Sequence, residues 1–135
     1  MKPPLGTVMV IDDEELDQRQ YRRILSRSGL TRDIIQFTYA DEALEWLLSS
    51  PDPAPDLILL DINIPRMNGF EFLAALKNAV GEPSSPVIIM LTTSLSPDDQ
   101  ARASAFASVR GYFHKPLTEA HLAEAVEILK SVSAA

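Results

Sequence analysis

Asp61 ends the apolar run Leu57-Ile58-Leu59-Leu60, and Asp12-Asp13 ends Val8-Met9-Val10-Ile11. A hydroxyl pair, Thr92-Thr93, follows Val87-Ile88-Ile89-Met90-Leu91, and Lys115 follows the shorter run Tyr112-Phe113. Open α/β sheets bind ligands outside the carboxyl ends of their strands. If the four runs are parallel neighbours, three carboxylates, a hydroxyl and an ammonium meet at one edge. Crowded carboxylates oppose one another's ionisation and call for a cation. Mg²⁺ binds through one or two carboxylates together with phosphate oxygens and water, and a lysine point charge suits phosphate. The chemistry implied is transfer of a phosphoryl group to a carboxylate.

The elements that must position these groups alternate along the chain. A strand at Thr7–Ile11 precedes a helix from Glu14 to Ser28, with Leu16, Gln20, Ile24 and Tyr21, Leu25 as two inward ridges and Gly29 as its stop. A second strand runs from Ile34 to Thr38. A second helix follows from Asp41 to Leu48, with Asp41 as N-cap and Ala43, Leu44, Leu47 and Leu48 inward. The proline-rich Ser50–Pro55 is a stiff loop into a third strand, Asp56–Leu60. A third helix covers Gly69–Ala79. Ser96-Pro97 opens a fourth after the Val87–Leu91 strand, with Asp98 and Asp99 in its first turn. Gly111–His114 is a fifth strand, and Thr118 caps a last helix with Leu122, Val126 and Leu129 inward. Strands alternating with helices require a parallel sheet covered on both faces, and the continuously apolar third and fourth strands belong at its centre.

At 135 residues, with 46% hydrophobic and 23% charged residues, the chain fits one α/β domain, 1–135, with its core at about 7–132 and no output domain. The net charge of -7 argues against nucleic acid as a partner. No cysteine is present, which removes disulfides and thiolate chemistry. The first residues lack the apolar core of a signal peptide, and no run approaches the roughly 20 residues that span a bilayer. These features predict a cytoplasmic protein without a membrane partner. Arg19, Arg22, Arg23 and Arg27 form a solvated helix face or, alternatively, a docking face for an acidic partner. His114 and His121 have no third ligand at metal-site spacing and are read as surface residues. Trp46 and Met67 are read as packing residues.

Four segments in order, "VIDDEE", "LLDINIPRMNG", "IIMLTTS" and "GYFHKPLT", resemble the receiver domain of bacterial two-component response regulators, of the stand-alone chemotaxis type. Each segment is weak alone. Together they span about Thr7 to Val132. The resemblance implies a flavodoxin-like, doubly wound five-stranded parallel sheet of order 2-1-3-4-5 with five helices. It makes Asp61 the phosphoacceptor and assigns Mg²⁺ to Asp12, Asp13, Asp61 and the backbone carbonyl of Asn63, with Asp13 more direct and Asp12 largely through water. Thr92 becomes the hydroxyl that moves toward the phosphoryl group, Lys115 its cationic partner and Tyr112 the aromatic switch. The Lys115–Pro116 bond matches one that is usually cis in the family. Asn63 and Ser94 occupy the positions that modulate dephosphorylation. Ser94 replaces a longer or acidic residue and predicts slow to moderate loss of the phosphoryl group. Thr93, where smaller residues are usual, narrows access; Ile64, in place of methionine, is neutral.

The partners so implied are a histidine kinase or phosphotransfer protein and a downstream protein. The downstream protein would read the face of the fourth helix, fifth strand and fifth helix: Tyr112, Asp99 to Ala107 and Glu119 to Glu127. The receiver itself would be a monomer or weak homodimer. Two rival functions use the same residues. A Mg²⁺-dependent phosphatase with an aspartate nucleophile needs a second aspartate two residues on as acid/base, where this chain has Asn63. An unphosphorylated pseudo-receiver scaffold would not need the acidic pocket at all.

Overall fold

The computed structural model describes residues 3–133. Five parallel strands, β1 (Gly6–Ile11), β2 (Thr31–Phe37), β3 (Leu57–Leu60), β4 (Val87–Thr92) and β5 (Val109–His114), form one sheet in the order β2-β1-β3-β4-β5. Five helices connect and cover it: α1 (Glu15–Ser28), α2 (Ala40–Leu48), α3 (Gly69–Val80), α4 (Pro97–Ser104) and α5 (Glu119–Ser133). This is the flavodoxin-like arrangement.

Successive strand residues point to opposite faces, and the core divides accordingly. Met9, Ile11, Ile58, Leu60, Ile88 and Met90 join Ala43 of α2, Phe72, Leu73 and Leu76 of α3 and Ala103 of α4. Val8, Val10, Leu57, Leu59, Ile89 and Leu91 join Tyr21 and Leu25 of α1 and Leu122 and Ala125 of α5. The strands carrying Asp12 and Asp61 are therefore fixed by two independent apolar layers. Trp46 and Met67 pack against the first of these.

Register aligns the polar groups. Ile11 pairs with Leu60, and Leu60 with Met90. Asp12 and Asp61 thus leave the sheet on one rung, and Thr92 leaves it two residues beyond the rung of Leu60. Gly69 admits the chain close to the site: a Cβ there would lie 2.5 Å from the Asp61 carbonyl oxygen. Gly29 ends α1 with φ 71°, the left-handed conformation glycine adopts without steric penalty.

Several local expectations are corrected. The second strand begins at Thr31 and the fifth at Val109, earlier than the apolar pattern indicates. Both are edge strands, where polar residues such as Arg32 and Asp33 can pair on one side and face water on the other. Asp41 is not the N-cap of α2. Tyr39 holds that position, and Asp41 lies in the first turn against Arg66. Leu16 is 76% exposed, because the first turn of α1 starts beyond the end of β1 with no strand beneath it. Gln20 is exposed as well, so Tyr21 and Leu25 carry the inward face of α1. Leu48 is exposed too, at the end of α2 after Ala40, Ala43, Leu44 and Leu47 have met the core.

Candidate phosphoacceptor site

Asp61 lies buried at the end of β3. Its amide donates to the Ile11 carbonyl (3.1 Å), which continues the β1–β3 ladder one step. Its Oδ1 accepts from the Ile62 amide (2.7 Å), and its Oδ2 accepts from Lys115 Nζ (3.0 Å). The carboxylate is thereby held in one orientation before any ligand arrives.

Asp12 is more enclosed still. Its Oδ1 accepts from the Glu14 amide (3.0 Å), and its Oδ2 accepts from the buried Tyr21 hydroxyl (2.8 Å) and lies 2.8 Å from Lys115 Nζ. Burial pushes the Asp12 carboxyl above the ordinary carboxylate range, against the pull of Lys115, the Glu14 amide and Tyr21. Burial and the neighbouring Asp12 charge likewise raise the Tyr21 phenol, so it stays a protonated donor.

Lys115 follows the last residue of β5, and its amide donates to the Thr92 carbonyl (2.9 Å), which extends the β4–β5 ladder one step toward the site; the Lys115–Pro116 peptide is cis. Its ammonium touches three carboxylates, those of Asp12, Asp17 (2.9 Å) and Asp61. Burial disfavours the ammonium, but hydrogen bonds to Asp12 and Asp17 and the charges of Asp12 and Asp61 outweigh it and raise the pKa.

Asp13 completes the acidic basin. Carboxylate oxygens of Asp12, Asp13 and Asp61 lie within 4.8 Å of one another. With Asp17, the cluster holds four carboxylates and one ammonium, which leaves an excess of negative charge that a hard divalent cation would neutralise. The donor set therefore fits Mg²⁺. Asn63 is exposed, and its carbonyl accepts no hydrogen bond among the described residues.

On the β4 side the groups nearest Asp61 are hydroxyls. Thr92 is fully buried, and its hydroxyl oxygen accepts from the Ser94 amide (3.3 Å). Tyr112 is half-buried, and its hydroxyl donates to the Ser94 carbonyl (3.2 Å). The Ser94 hydroxyl donates to Asp99 Oδ2 of α4 (2.6 Å). Thr93 is exposed.

Sequence reasoning missed Asp17 and gave Tyr21 only a packing role. Their spacing carried a signal, because Asp13, Asp17 and Tyr21 recur every four residues and share one side of the helix entry. It also read both histidines as surface residues. His114 is exposed, but His121 is half-buried, stacks on Phe113 at 4.5 Å and accepts the Thr118 amide through Nδ1. Neither belongs to the acidic cluster.

Residues 8–127 match the family described as the response regulator receiver domain. The chain belongs to the response regulator receiver family. Protein PilG of Pseudomonas aeruginosa is 32% identical over 120 residues, covering 89% of this chain and 84% of that one. A two-component response regulator from Cytophaga hutchinsonii superposes with a TM-score of 0.84 at 28% identity, over 97% of this receiver and 99% of that chain. The phosphorylated cyanobacterial phytochrome response regulator RcpA gives 0.72 at 27% identity, over 93% and 89%. Among the described residues no helix is long and apolar enough to cross a membrane.

Proposed function

We propose that this receiver accepts a phosphoryl group on Asp61 from a phosphohistidine of a histidine kinase or phosphotransfer protein in the cytoplasm, and changes its protein contacts in response. The observation that carries this reading is the double anchoring of the Asp61 carboxylate, by the Ile62 amide and Lys115, beside Asp12 and Asp13. In the transfer the donor's nitrogen–phosphorus bond breaks, a carboxylate oxygen–phosphorus bond forms, and the imidazole leaves. Asp12, Asp13, Asp61 and the Asn63 carbonyl are the groups that would hold Mg²⁺. When bound, it neutralises charge on the phosphoryl oxygens.

The chain's own groups do the rest. Lys115 offsets negative charge opposite the incoming phosphoryl group. Asp12, with both oxygens engaged by protein donors, would add its negative charge to the basin that holds the cation. The Thr92 hydroxyl turns from the Ser94 amide to a phosphoryl oxygen, which loosens the Ser94 loop and with it Tyr112. This is a shift between pre-existing populations. The face of α4, β5 and α5 around Tyr112 then presents a different surface to the downstream protein. Water attack on phosphorus returns the Asp61 carboxylate and free phosphate. The Ser94 hydroxyl is engaged by Asp99 and leaves that water poorly oriented, so the phosphorylated form persists.

The test is phosphotransfer from each phosphorylated histidine kinase of the source organism. Label should move to this protein from one or a few of them in Mg²⁺ and from none in EDTA. Transfer from none in either condition contradicts the proposal.

A further inference from the structure

Between Asp61 and α3 the chain folds on itself through its own backbone. The Ile62 carbonyl accepts from Ile64 (3.1 Å) and Gly69 (2.8 Å), and the Pro65 carbonyl accepts from Met67 (2.9 Å). Arg66 stands in this turn with φ 74°, where a side chain crowds its own backbone. Such a conformation persists only where the surroundings over-determine it.

Here the surroundings are the start of α2. The Arg66 guanidinium lies 4.0 Å from the centroid of the Tyr39 ring, donates to Asp41 Oδ2 and faces Glu42 Oε2 at 3.6 Å. A single half-exposed ion pair would hold little. A planar cation stacked on a ring and shared by two carboxylates fixes both position and orientation, and lysine does not reproduce that geometry. Arg66 is the main reason the Asp41 carboxyl lies below its ordinary range.

We infer that Arg66 is a positioning residue for the phosphoacceptor site: it clamps the β3–α3 turn to the start of α2 and so fixes the Asn63 carbonyl relative to Asp13 and Asp61. The inference rests on the proposed function and extends it. Asn63 lies three residues before Arg66 in the same turn. Beyond Arg66 the chain is already secured by the Asn68–Glu71 capping box. Between Ile62 and Asn68, Ile62 and Ile64 are buried in the first core layer and Met67 packs against it, and Arg66 adds the polar side-chain tie to α2. Without it the turn keeps its internal hydrogen bonds and its apolar contacts but loses the polar link that sets its exposed residues against α2.

The experiment uses the unphosphorylated full chain and its variants Arg66→Gly, Arg66→Lys and Asp41→Asn. Glycine relieves the backbone crowding, so a loss of function in that variant is not a loss of fold. Mg²⁺ affinity is read from the amide NMR shifts of Asp61 and Asn63, and hydrogen exchange is read at Ile64 and Met67. Arg66→Gly should weaken Mg²⁺ binding about tenfold, the scale of supporting residues around metal ligands, and speed exchange at both amides. Arg66→Lys and Asp41→Asn should fall between it and the wild type. Wild-type Mg²⁺ affinity in Arg66→Gly overturns the inference while leaving the phosphoacceptor reading in place. A wild-type protein that binds no Mg²⁺ overturns that reading, and this inference with it.

Discussion

The two sides of the sheet's carboxyl edge are built on opposite terms. On the β1–β3 side, Asp12, Asp17 and Asp61 converge on one ammonium, and Asp12 alone meets Glu14, Tyr21 and Lys115. On the β4–β5 side, Thr92 and Tyr112 are each joined to Ser94 by a single neutral hydrogen bond, of 3.3 and 3.2 Å, and the one charged bond there ties the Ser94 hydroxyl outward to Asp99 of α4. Charged hydrogen bonds are roughly twice as strong as neutral ones. The acidic side is thus preorganised for chemistry, whereas the hydroxyl side is held weakly enough to have a second arrangement. Under the proposed function, such a site would separate where a phosphoryl group is received from where its arrival is felt.

The largest expected effect tests the rigid side. Lys115→Ala leaves Asp12 and Asp61 buried without their cation. Denaturant unfolding in EDTA should show a loss of about 3 kcal/mol, the lower end for breaking a buried ion pair. A loss below about 1 kcal/mol would mean that the ammonium does not hold this side together.

Tyr21→Phe is gentler, because it removes one donor to Asp12 and leaves Lys115 and the Glu14 amide. The cost should be about 2 kcal/mol, within the range for a hydrogen bond to a charged group. Equal stability of the two proteins would reduce Tyr21 to a packing residue.

The weak side should respond differently. Ser94→Ala deletes the tie to the half-buried Asp99 carboxylate but keeps both backbone links, so its stability should fall by about 1.5 kcal/mol, the lower end for a hydrogen bond to a charged group. NMR should nevertheless find the Tyr112 ring in an altered environment. Thr92→Ala should still accept phosphate but lose most of the Tyr112 shift that activation produces in the wild type. A Tyr112 environment indifferent to both changes would leave no distinction between the two sides. The smallest effect concerns lifetime: Ser94→Glu should shorten the phosphorylated state by giving the attacking water a second polar anchor. An unchanged or longer lifetime would remove Ser94 from the account of hydrolysis.

Which parts of this were legible in the sequence follows from the same division. Strand periodicity and apolar runs placed Asp12, Asp61 and Thr92 on the correct edge, because buried parallel strands leave an almost uninterrupted hydrophobic signature. The edge strands were shortened because Thr31-Arg32-Asp33 carries none of it. Leu16 and Leu48 misled for a related reason: a helical ridge shows which residues share a side, not where the sheet beneath them ends. Asp17 was missed because its role depends on Lys115, 98 positions away, and is set by how α1 and the turn after β5 dock. The Arg66 clamp was illegible for the same reason. Its partners start a different helix, and its backbone conformation is one that residue type alone does not announce.

Everything proposed for this receiver depends on Asp61 being the group that accepts the phosphoryl group. Intact mass and peptide mapping after incubation with acetyl phosphate and Mg²⁺ test it most directly. The mass should increase by one phosphoryl group, confined to the peptide containing Asp61 and absent both in Asp61→Asn and in EDTA. Modification that persists in Asp61→Asn, or that maps to another residue, would contradict it.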